Sequence, residues 1–122
     1  MNHHRIYICG PLSAPTRDQI EANIQDAVVI ADWCMERGHD AHCPHAATDP
    51  IEVFNERYGR TRLGYEDYMR LDLGLIEHWA TALFYLRPSP GADRELAAAQ
   101  AKGLVIFRDI SEVPNVRQGV RA

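Results

Sequence analysis

The chain of 122 residues has the length of one domain, and its 46% hydrophobic and 25% charged residues are typical of a soluble globular protein. The formal net charge of −4 at pH 7 argues against a general nucleic-acid-binding surface. No run approaches the roughly 18 apolar residues of a membrane span, and the N-terminus lacks the apolar core of a signal peptide. The three cysteines, Cys9, Cys34 and Cys43, do not have the number or spacing of a disulfide framework. We therefore expect a cytoplasmic protein without a membrane or nucleic-acid partner.

The first third of the chain predicts a strand, a helix and a second strand. Residues 5–9 form a short apolar run, as in a buried strand. Residues 16–38 begin with a capping box and continue with apolar residues at helical spacing up to a glycine. Residues 39–43 predict a second strand, which stops at a proline. This order is that of a βαβ unit with a right-handed crossover.

The next segment, residues 46–64, has no clean period and contains Pro50, Gly59 and three arginines, Arg57, Arg60 and Arg62. In a compact domain such a run indicates a lid, a binding loop or an irregular helix. The later elements alternate again: a helix over 65–79, a strand over 80–86, a turn over 89–95, a helix ending at Gly103 and a strand over 104–107. Residues 108–122, with little apolar content, are expected to trail over the surface.

This alternation predicts the fold class. We expect a single α/β domain over 1–122, with its core at about 5–107. The expected architecture is doubly wound, Rossmann- or flavodoxin-like, with a mostly parallel sheet of four to five strands and helices on both faces.

The turn at 89–95 joins a buried strand to a helix, and ligands of open parallel sheets bind beyond the carboxyl ends of the strands. Glu95 is expected in the first turn of that helix, where the dipole and free N–H groups favour an ionised carboxylate. A carboxylate in that place can act as a nucleophile. The alternative is an ordinary acidic residue of a first helical turn.

A second carboxylate interrupts an apolar stripe. Asp72 falls on the stripe of the 65–79 helix that also contains Tyr65, Tyr68, Met69, Ile76 and Trp79. Burying it costs several kcal/mol unless it is paired or hydrogen-bonded. Asp72 is therefore either tied to a backbone N–H or an arginine for structure, or it points into the ligand crevice beside Glu95. A carboxylate pair suits glycosyl transfer, with one nucleophile and one group for proton transfer or hydroxyl contacts.

Two further segments carry weaker signals. The loop Gly10-Pro11-Leu12-Ser13 follows the first strand and leads toward a helix N-terminus, which suits phosphate, although Pro11 is equally explained by turn chemistry. His39, His42, Cys43 and His45 lie close together but match no common zinc spacing, so histidines at a strand end are the default interpretation. We expect no metal and no organic cofactor.

Three motifs occur in order along the chain: Ile6-Tyr7-Ile8-Cys9-Gly10-Pro11, then Asp72 on the central helix, then Ser89-x-Gly91-x-x-x-Glu95 before an alanine-rich helix and Gly103. In this arrangement the chain resembles the nucleoside 2-deoxyribosyltransferase superfamily, including its nucleoside 5′-monophosphate N-glycosidases, over roughly residues 5–107. The chain departs from that pattern at Ala80, where many relatives have an aspartate.

The resemblance implies a role for each residue. Glu95 would attack the anomeric carbon, Asp72 would hold the sugar and assist proton transfer, and Tyr7 would position the glutamate. It also implies a homodimer or higher homo-oligomer whose sites border a neighbouring subunit.

One position separates the branches of the superfamily. Ser89 occupies the place where the transferases have an aspartate, and a serine donates to phosphate where an aspartate would repel it. We expect the substrate to be bound by five residues: Gly10, Pro11, Ser13, Ser89 and Gly91. The sequence therefore favours a hydrolase that cleaves the N-glycosidic bond of a (deoxy)nucleoside 5′-monophosphate. The alternatives are a base-exchanging transferase and a non-catalytic nucleotide-binding module.

Overall fold

The computed structural model describes residues 3–60 and 63–117 and contains a four-stranded, all-parallel sheet. The predicted α/β fold class is confirmed. The elements in chain order are β1 (Arg5–Cys9), α1 (Arg17–Glu36), β2 (Asp40–His42), α2 (Pro44–Arg57), α3 (Tyr65–His78), β3 (Ala82–Tyr85), α4 (Pro90–Lys102), β4 (Val105–Phe107) and the 3-10 helix Ile110–Glu112.

The strands lie in the order β2-β1-β3-β4, which is the flavodoxin-like arrangement of a doubly wound sheet. In the register, Tyr7 pairs with His42 of β2 on one side and with Leu83 of β3 on the other. Since β1 and β3 are neighbours in the sheet but not in the chain, their carboxyl ends form the point where the winding changes direction.

Successive residues of β1 join different hydrophobic clusters. Ile6 and Ile8 belong to a cluster with Ala27 and Cys34 of α1. Tyr7 and Cys9 belong to a second cluster, which includes residues of α3 and α4. Because successive side chains of a strand point to opposite faces, α1 covers one face of the sheet, and α3 and α4 cover the other.

The predicted first helix is confirmed together with its signals. Thr16 is the N-cap of α1, its hydroxyl oxygen accepts from the Gln19 N–H (3.2 Å), and the Gln19 side chain accepts from the Thr16 N–H (3.3 Å). Beyond the other end, Gly38 adopts φ of 95°, a left-handed conformation that favours glycine.

The aperiodic segment 46–64 is largely helical. Helix α2 begins with Pro44 in its first turn, where the missing N–H costs nothing, and it contains Pro50 in its interior. Few of its side chains are buried, so the helix has no broad apolar stripe. This outcome corresponds to the irregular-helix alternative.

The segment after β4 lies on the surface but is attached to the fold. Val113 is 4% exposed and belongs to the cluster on the α1 face. The Pro114 carbonyl accepts from His39, and the Val116 N–H donates to the Arg37 carbonyl (2.8 Å). Most of residues 108–117 are exposed, as predicted, but contacts at Val113, Pro114 and Val116 attach the segment to the fold; residues 118–122 lie outside the described residues.

Within residues 3–60 and 63–117, no helix has both the length and the apolar character that crossing a bilayer requires.

Candidate active site

A cleft of about 530 Å³ opens beyond the carboxyl ends of β1 and β3. The loop after β1 contributes Gly10 and Ser13, and α4 with its N-cap contributes Ser89 and Glu95, while the start of α1, helices α2 and α3 and the segment before α3 complete the lining. The position is that of ligand sites in doubly wound sheets, where connections to opposite faces leave a crevice between them.

Glu95 lies at the inner end of this cleft. Its side chain is 5% exposed, and its Oε2 accepts from the Tyr7 hydroxyl at 2.9 Å. The expected place in the first turn of the helix is wrong. Helix α4 begins at Pro90, so its first-turn carboxylate is Asp93, and Glu95 lies in the second turn. A hydrogen bond from a neighbouring strand therefore holds the carboxyl group, rather than the free N–H groups of a helix end.

Asp72 lies in the same cleft as Glu95. Its Oδ1 is buried and has no hydrogen-bond partner among the described residues. Neither a backbone N–H nor an arginine holds this carboxylate in the described part of the chain, so the purely structural alternative finds no support. A buried oxygen without a partner is costly, and a ligand group would relieve that cost.

The two carboxyl groups affect each other's protonation. Burial, followed by the charge of Asp72, raises the pKa of Glu95 to about 7, although the donors Tyr7 and Cys9 oppose the shift. Burial also raises the pKa of Asp72, and the neighbouring Glu95 and Tyr7 side chains oppose this shift. The expectation of a dipole-stabilised ionised Glu95 is therefore corrected: desolvation outweighs the helix dipole. Because the two groups are this close, their protons are lost in steps that belong to the pair rather than to either residue.

Tyr7 and Cys9 support Glu95 from β1. Burial and the charge of Glu95 raise the pKa of Tyr7 well above its usual value, so the phenol stays protonated and remains a donor. The Cys9 thiol donates to the Ala92 carbonyl (3.3 Å), and burial raises its pKa. Both residues lie on the same face of β1 and are fully buried, which fixes them against α4.

Ser89 is the N-cap of α4, and its Oγ accepts from the Ala92 N–H at 3.0 Å. An N-cap serine uses an oxygen lone pair for this bond, which leaves its hydroxyl hydrogen for another acceptor. Gly91 belongs to the first helical turn, whose N–H groups have no acceptor within the helix. Both residues line the cleft, as the sequence predicted.

The loop after β1 also lines the cleft through Gly10, Pro11 and Ser13. A Cβ at Gly10 would lie 3.0 Å from the Cβ of Leu86, so glycine permits the close approach of the two strand ends. The His45 side chain donates from Nε2 to the Pro11 carbonyl at 3.0 Å. The helix that follows begins only at Arg17, so the loop does not lead directly into its N-terminus.

Several cleft residues were missed from the sequence. Arg17 at the start of α1 makes a bidentate ion pair with Asp49 of α2 (2.7 and 2.9 Å) and a second pair with Glu21. Helices α2 and α3 add Thr48, Asp49, Glu52, Val53, Glu56, Tyr65, Tyr68 and Met69. The available signal was the four-residue spacing of Thr48, Glu52 and Glu56, which places them on one helical face.

The three histidines of residues 39–45 contact different parts of the fold. His39 contacts the N-terminal and C-terminal segments, His42 packs near Tyr7 and Trp79, and His45 contacts the β1 loop. Over the described ranges, no three His, Cys, Asp or Glu side chains converge as metal ligands would. Ala80 lies before β3, at the end opposite the cleft.

Comparison of the sequence with protein-family models gives no match, and comparison with curated proteins gives none either. The family resemblance therefore remains a hypothesis that depends on the residues themselves.

Proposed function

We propose that the protein is an N-glycosidase that cleaves the bond between base and sugar in a (deoxy)nucleoside 5′-monophosphate. The observation that carries this proposal is the pair formed by buried Glu95 and half-buried Asp72, with Tyr7 donating to the first and a buried, unpartnered oxygen on the second. Two coupled carboxyl groups supply both a nucleophile and an acid in the form of the protein in which Glu95 is ionised and Asp72 carries the proton.

The reaction has two steps. In the first, ionised Glu95 attacks C1′ while the bond to the base breaks, and the base leaves with the electron pair and takes the proton of Asp72. In the second, Asp72 removes a proton from water, which attacks C1′ of the covalent sugar–Glu95 ester and restores the carboxylate. The Tyr7 hydroxyl stabilises the ionised form of Glu95 through its hydrogen bond. No metal or organic cofactor takes part in this scheme.

The expectation of a 5′-phosphate depends on the start of α4. The hydroxyl hydrogen of Ser89 and the N–H of Gly91 are donors in the cleft, near the positive end of the helix dipole. A phosphate here would receive hydrogen bonds that a free 5′-hydroxyl would use less well.

A second candidate, base exchange on a free nucleoside, is favoured by the charge of the cleft. Asp49, Glu52 and Glu56 all line it, and the guanidinium of Arg17 already pairs with Asp49 and Glu21. Such a lining disfavours a dianionic phosphate and tolerates a neutral nucleoside.

We also propose that the protein is a homodimer. Helix α2 exposes Ile51, Phe54 and Tyr58 on one side, by 46%, 51% and 62%, next to the residues that line the cleft. A second subunit covering them would remove apolar surface from water. The free cysteines Cys9, Cys34 and Cys43 fit a reducing compartment such as the cytoplasm.

The experiment compares each nucleoside with its 5′-monophosphate, with and without an acceptor base, by chromatography of the released base. We expect the monophosphate to have at least a hundredfold higher kcat/KM, from two or three charge-assisted hydrogen bonds of about 1.5–3 kcal/mol each. Ser89→Asp should reduce this preference. Aspartate also caps helices, so the variant keeps the N-cap, and Ser89→Asn serves as the uncharged capping control.

Equal cleavage of nucleoside and monophosphate would contradict the proposed recognition of a 5′-phosphate. Transfer of the sugar to the acceptor base would favour the transferase over the hydrolase. Binding without cleavage of any nucleotide or nucleoside would leave a non-catalytic module.

A further inference from the structure

Tyr68 of α3 and Glu52 of α2 meet in the wall of the cleft. Both line it, and the Tyr68 hydroxyl donates to Oε1 of Glu52. This contact joins the helix that carries Asp72 to the helix that the sequence left unassigned. Glu52 has no part in the catalytic scheme above.

The bond with Tyr68 orients the Glu52 carboxylate and leaves its other oxygen available. Burial, together with the hydrogen bond and the charge of Glu52, raises the pKa of Tyr68 to about 12, so the phenol stays a donor at neutral pH. In the part of the chain that the structure describes, no lysine or arginine forms an ion pair with Glu52. Oε2 is therefore a charged acceptor in a cleft that a ligand enters.

The surroundings of this acceptor suit a flat heterocycle. Tyr68 precedes Asp72 by four residues on α3, which corresponds to one helical turn, or a rise of about 6 Å. That separation is comparable to the span from the glycosidic carbon to the far edge of a base. Apolar and aromatic lining residues provide the contact surface: Ile20, Val53, Leu63, Tyr65 and Met69.

We propose that Glu52, oriented by Tyr68, accepts a hydrogen bond from the exocyclic amino group of the substrate base. The inference rests on the proposed function, since it takes the carboxylate pair as the place of the sugar. The substrates would then carry amino bases, such as cytosine or adenine, in preference to the corresponding oxo bases, uracil or hypoxanthine.

The discrimination follows from hydrogen-bond polarity. An amino group donates to a carboxylate, whereas a carbonyl oxygen in the same place presents a second acceptor and leaves the carboxylate unpaired. Sites that hydrogen-bond a substrate group reject an analogue lacking it more strongly than sites that only enclose it. We expect the amino member of each pair to have a 10- to 100-fold higher kcat/KM.

The test uses matched substrates and matched variants. CMP is compared with UMP, and AMP with IMP, each also as the deoxynucleotide and as the free nucleoside. Glu52→Gln should bring the amino-to-oxo ratio within threefold of one, because a glutamine amide offers both a donor and an acceptor. Tyr68→Phe keeps the charge of Glu52 but removes the hydrogen bond that orients it. The logarithm of the amino-to-oxo ratio of kcat/KM should therefore fall to about half of its wild-type value.

Two control variants distinguish recognition of the base by Glu52 from the general effect of losing a negative charge or a tyrosine hydroxyl. Glu56→Gln removes the same charge from the same face of α2, one turn away, and the amino-to-oxo ratio should stay within twofold of the wild type. Tyr85→Phe removes a tyrosine hydroxyl that donates to Asp93 outside the cleft lining, and it should leave both the rate and the ratio unchanged.

Several results would overturn the inference: an equal ratio for wild type and Glu52→Gln, or the same loss of preference in Glu56→Gln. A Glu52→Gln effect on ribose against deoxyribose alone would also do so, because Glu52 would then contact the 2′-hydroxyl.

Equilibrium binding to Glu95→Gln separates this inference from the proposed function. Tighter binding of the amino member, without cleavage by the wild type, would retain Glu52 as a base-recognition residue and reject the glycosidase. Cleavage by the wild type without a base preference would retain the glycosidase and reject base recognition by Glu52. Absence of binding for every substrate pair would reject both the glycosidase and base recognition by Glu52.

Discussion

The buried polar groups at the two ends of the parallel sheet differ in how completely they are hydrogen-bonded. At the amino end, His39 is 3% exposed and makes two hydrogen bonds: Nδ1 accepts from the His4 N–H (3.0 Å) and Nε2 donates to the Pro114 carbonyl (2.7 Å). At the carboxyl end, Asp72 keeps a buried oxygen without a partner, and burial raises the pKa of Glu95.

The difference indicates which end has a structural role and which a chemical one. A buried polar group whose hydrogen bonds are all made joins segments of the chain, as His39 joins the N-terminal and C-terminal segments. A buried carboxyl group with an open acceptor or a raised pKa costs stability, and such a cost is typical of functional sites. Substitutions at the two ends should therefore separate activity from stability.

The largest expected effect is on turnover, at the carboxyl end. Glu95→Gln should reduce kcat by about four orders of magnitude or more, because a covalent nucleophile is lost while the hydrogen bond from Tyr7 can persist. Substrate affinity, measured by calorimetry, should change little. A variant that kept a tenth of the wild-type turnover would refute the covalent mechanism.

Asp72→Asn should lower kcat by about 100- to 1,000-fold, since an amide cannot deliver the proton that a carboxylic acid delivers. Stability should change by only about 1–2 kcal/mol, because the substitution is isosteric. The measurements are steady-state kinetics and urea unfolding of the same preparation. Full activity with a much lower melting temperature would reinstate the structural role of this carboxylate.

At the amino end, the comparison predicts the opposite outcome. His39→Ala should lower the free energy of unfolding by about 2–4 kcal/mol, since it removes two hydrogen bonds and leaves a buried void. In the folded protein at 25 °C, kcat/KM should stay within twofold of the wild type. Loss of activity without loss of stability would contradict the separation of the two ends.

The smallest effect concerns the pH dependence of stability. The pKa of Glu95 in the folded protein is about 7, above its unfolded value of about 4.3, so its stabilising contribution is complete below pH 4 and is lost as pH rises through 7. Glu95→Gln lacks this loss, so unfolding free energies should show it gaining about 1–3 kcal/mol on the wild type between pH 4.5 and 8. A difference that is independent of pH would show that Glu95 does not titrate in this range.

The pH–rate profile gives the corresponding kinetic measurement. Because an ionised nucleophile and a protonated acid are both required, kcat/KM should be bell-shaped, and its two limbs report the macroscopic pKa values of the pair. Tyr7→Phe removes the donor that lowers the pKa of Glu95 and should move the pH optimum of kcat/KM to higher pH.

Local signals along the chain determined much of the fold. The apolar runs of β1 and β3, the capping box at Thr16 and the glycine after α4 act within a few residues, so the sequence predicts them. The alternation of these elements implied a parallel sheet, and strand ends in such a sheet converge. For that reason the sequence also predicted that the loop after β1 and the turn at 89–95 would meet, with Asp72 beside Glu95 as one of two alternatives, whereas the contact of Tyr7 with Glu95 was implied by the family resemblance.

Only the tertiary structure decided what surrounds those residues. The sequence did not show that α2 is a helix, because Pro50 lies in its interior and its apolar side chains do not form one stripe that packs against the core. Likewise, the packing of Val113 depends on a hydrophobic cluster whose residues come from distant segments of the chain. The protonation of Glu95 was wrongly expected for the same reason: the helix dipole can be read from neighbouring residues, but desolvation depends on everything that excludes water from the carboxyl group.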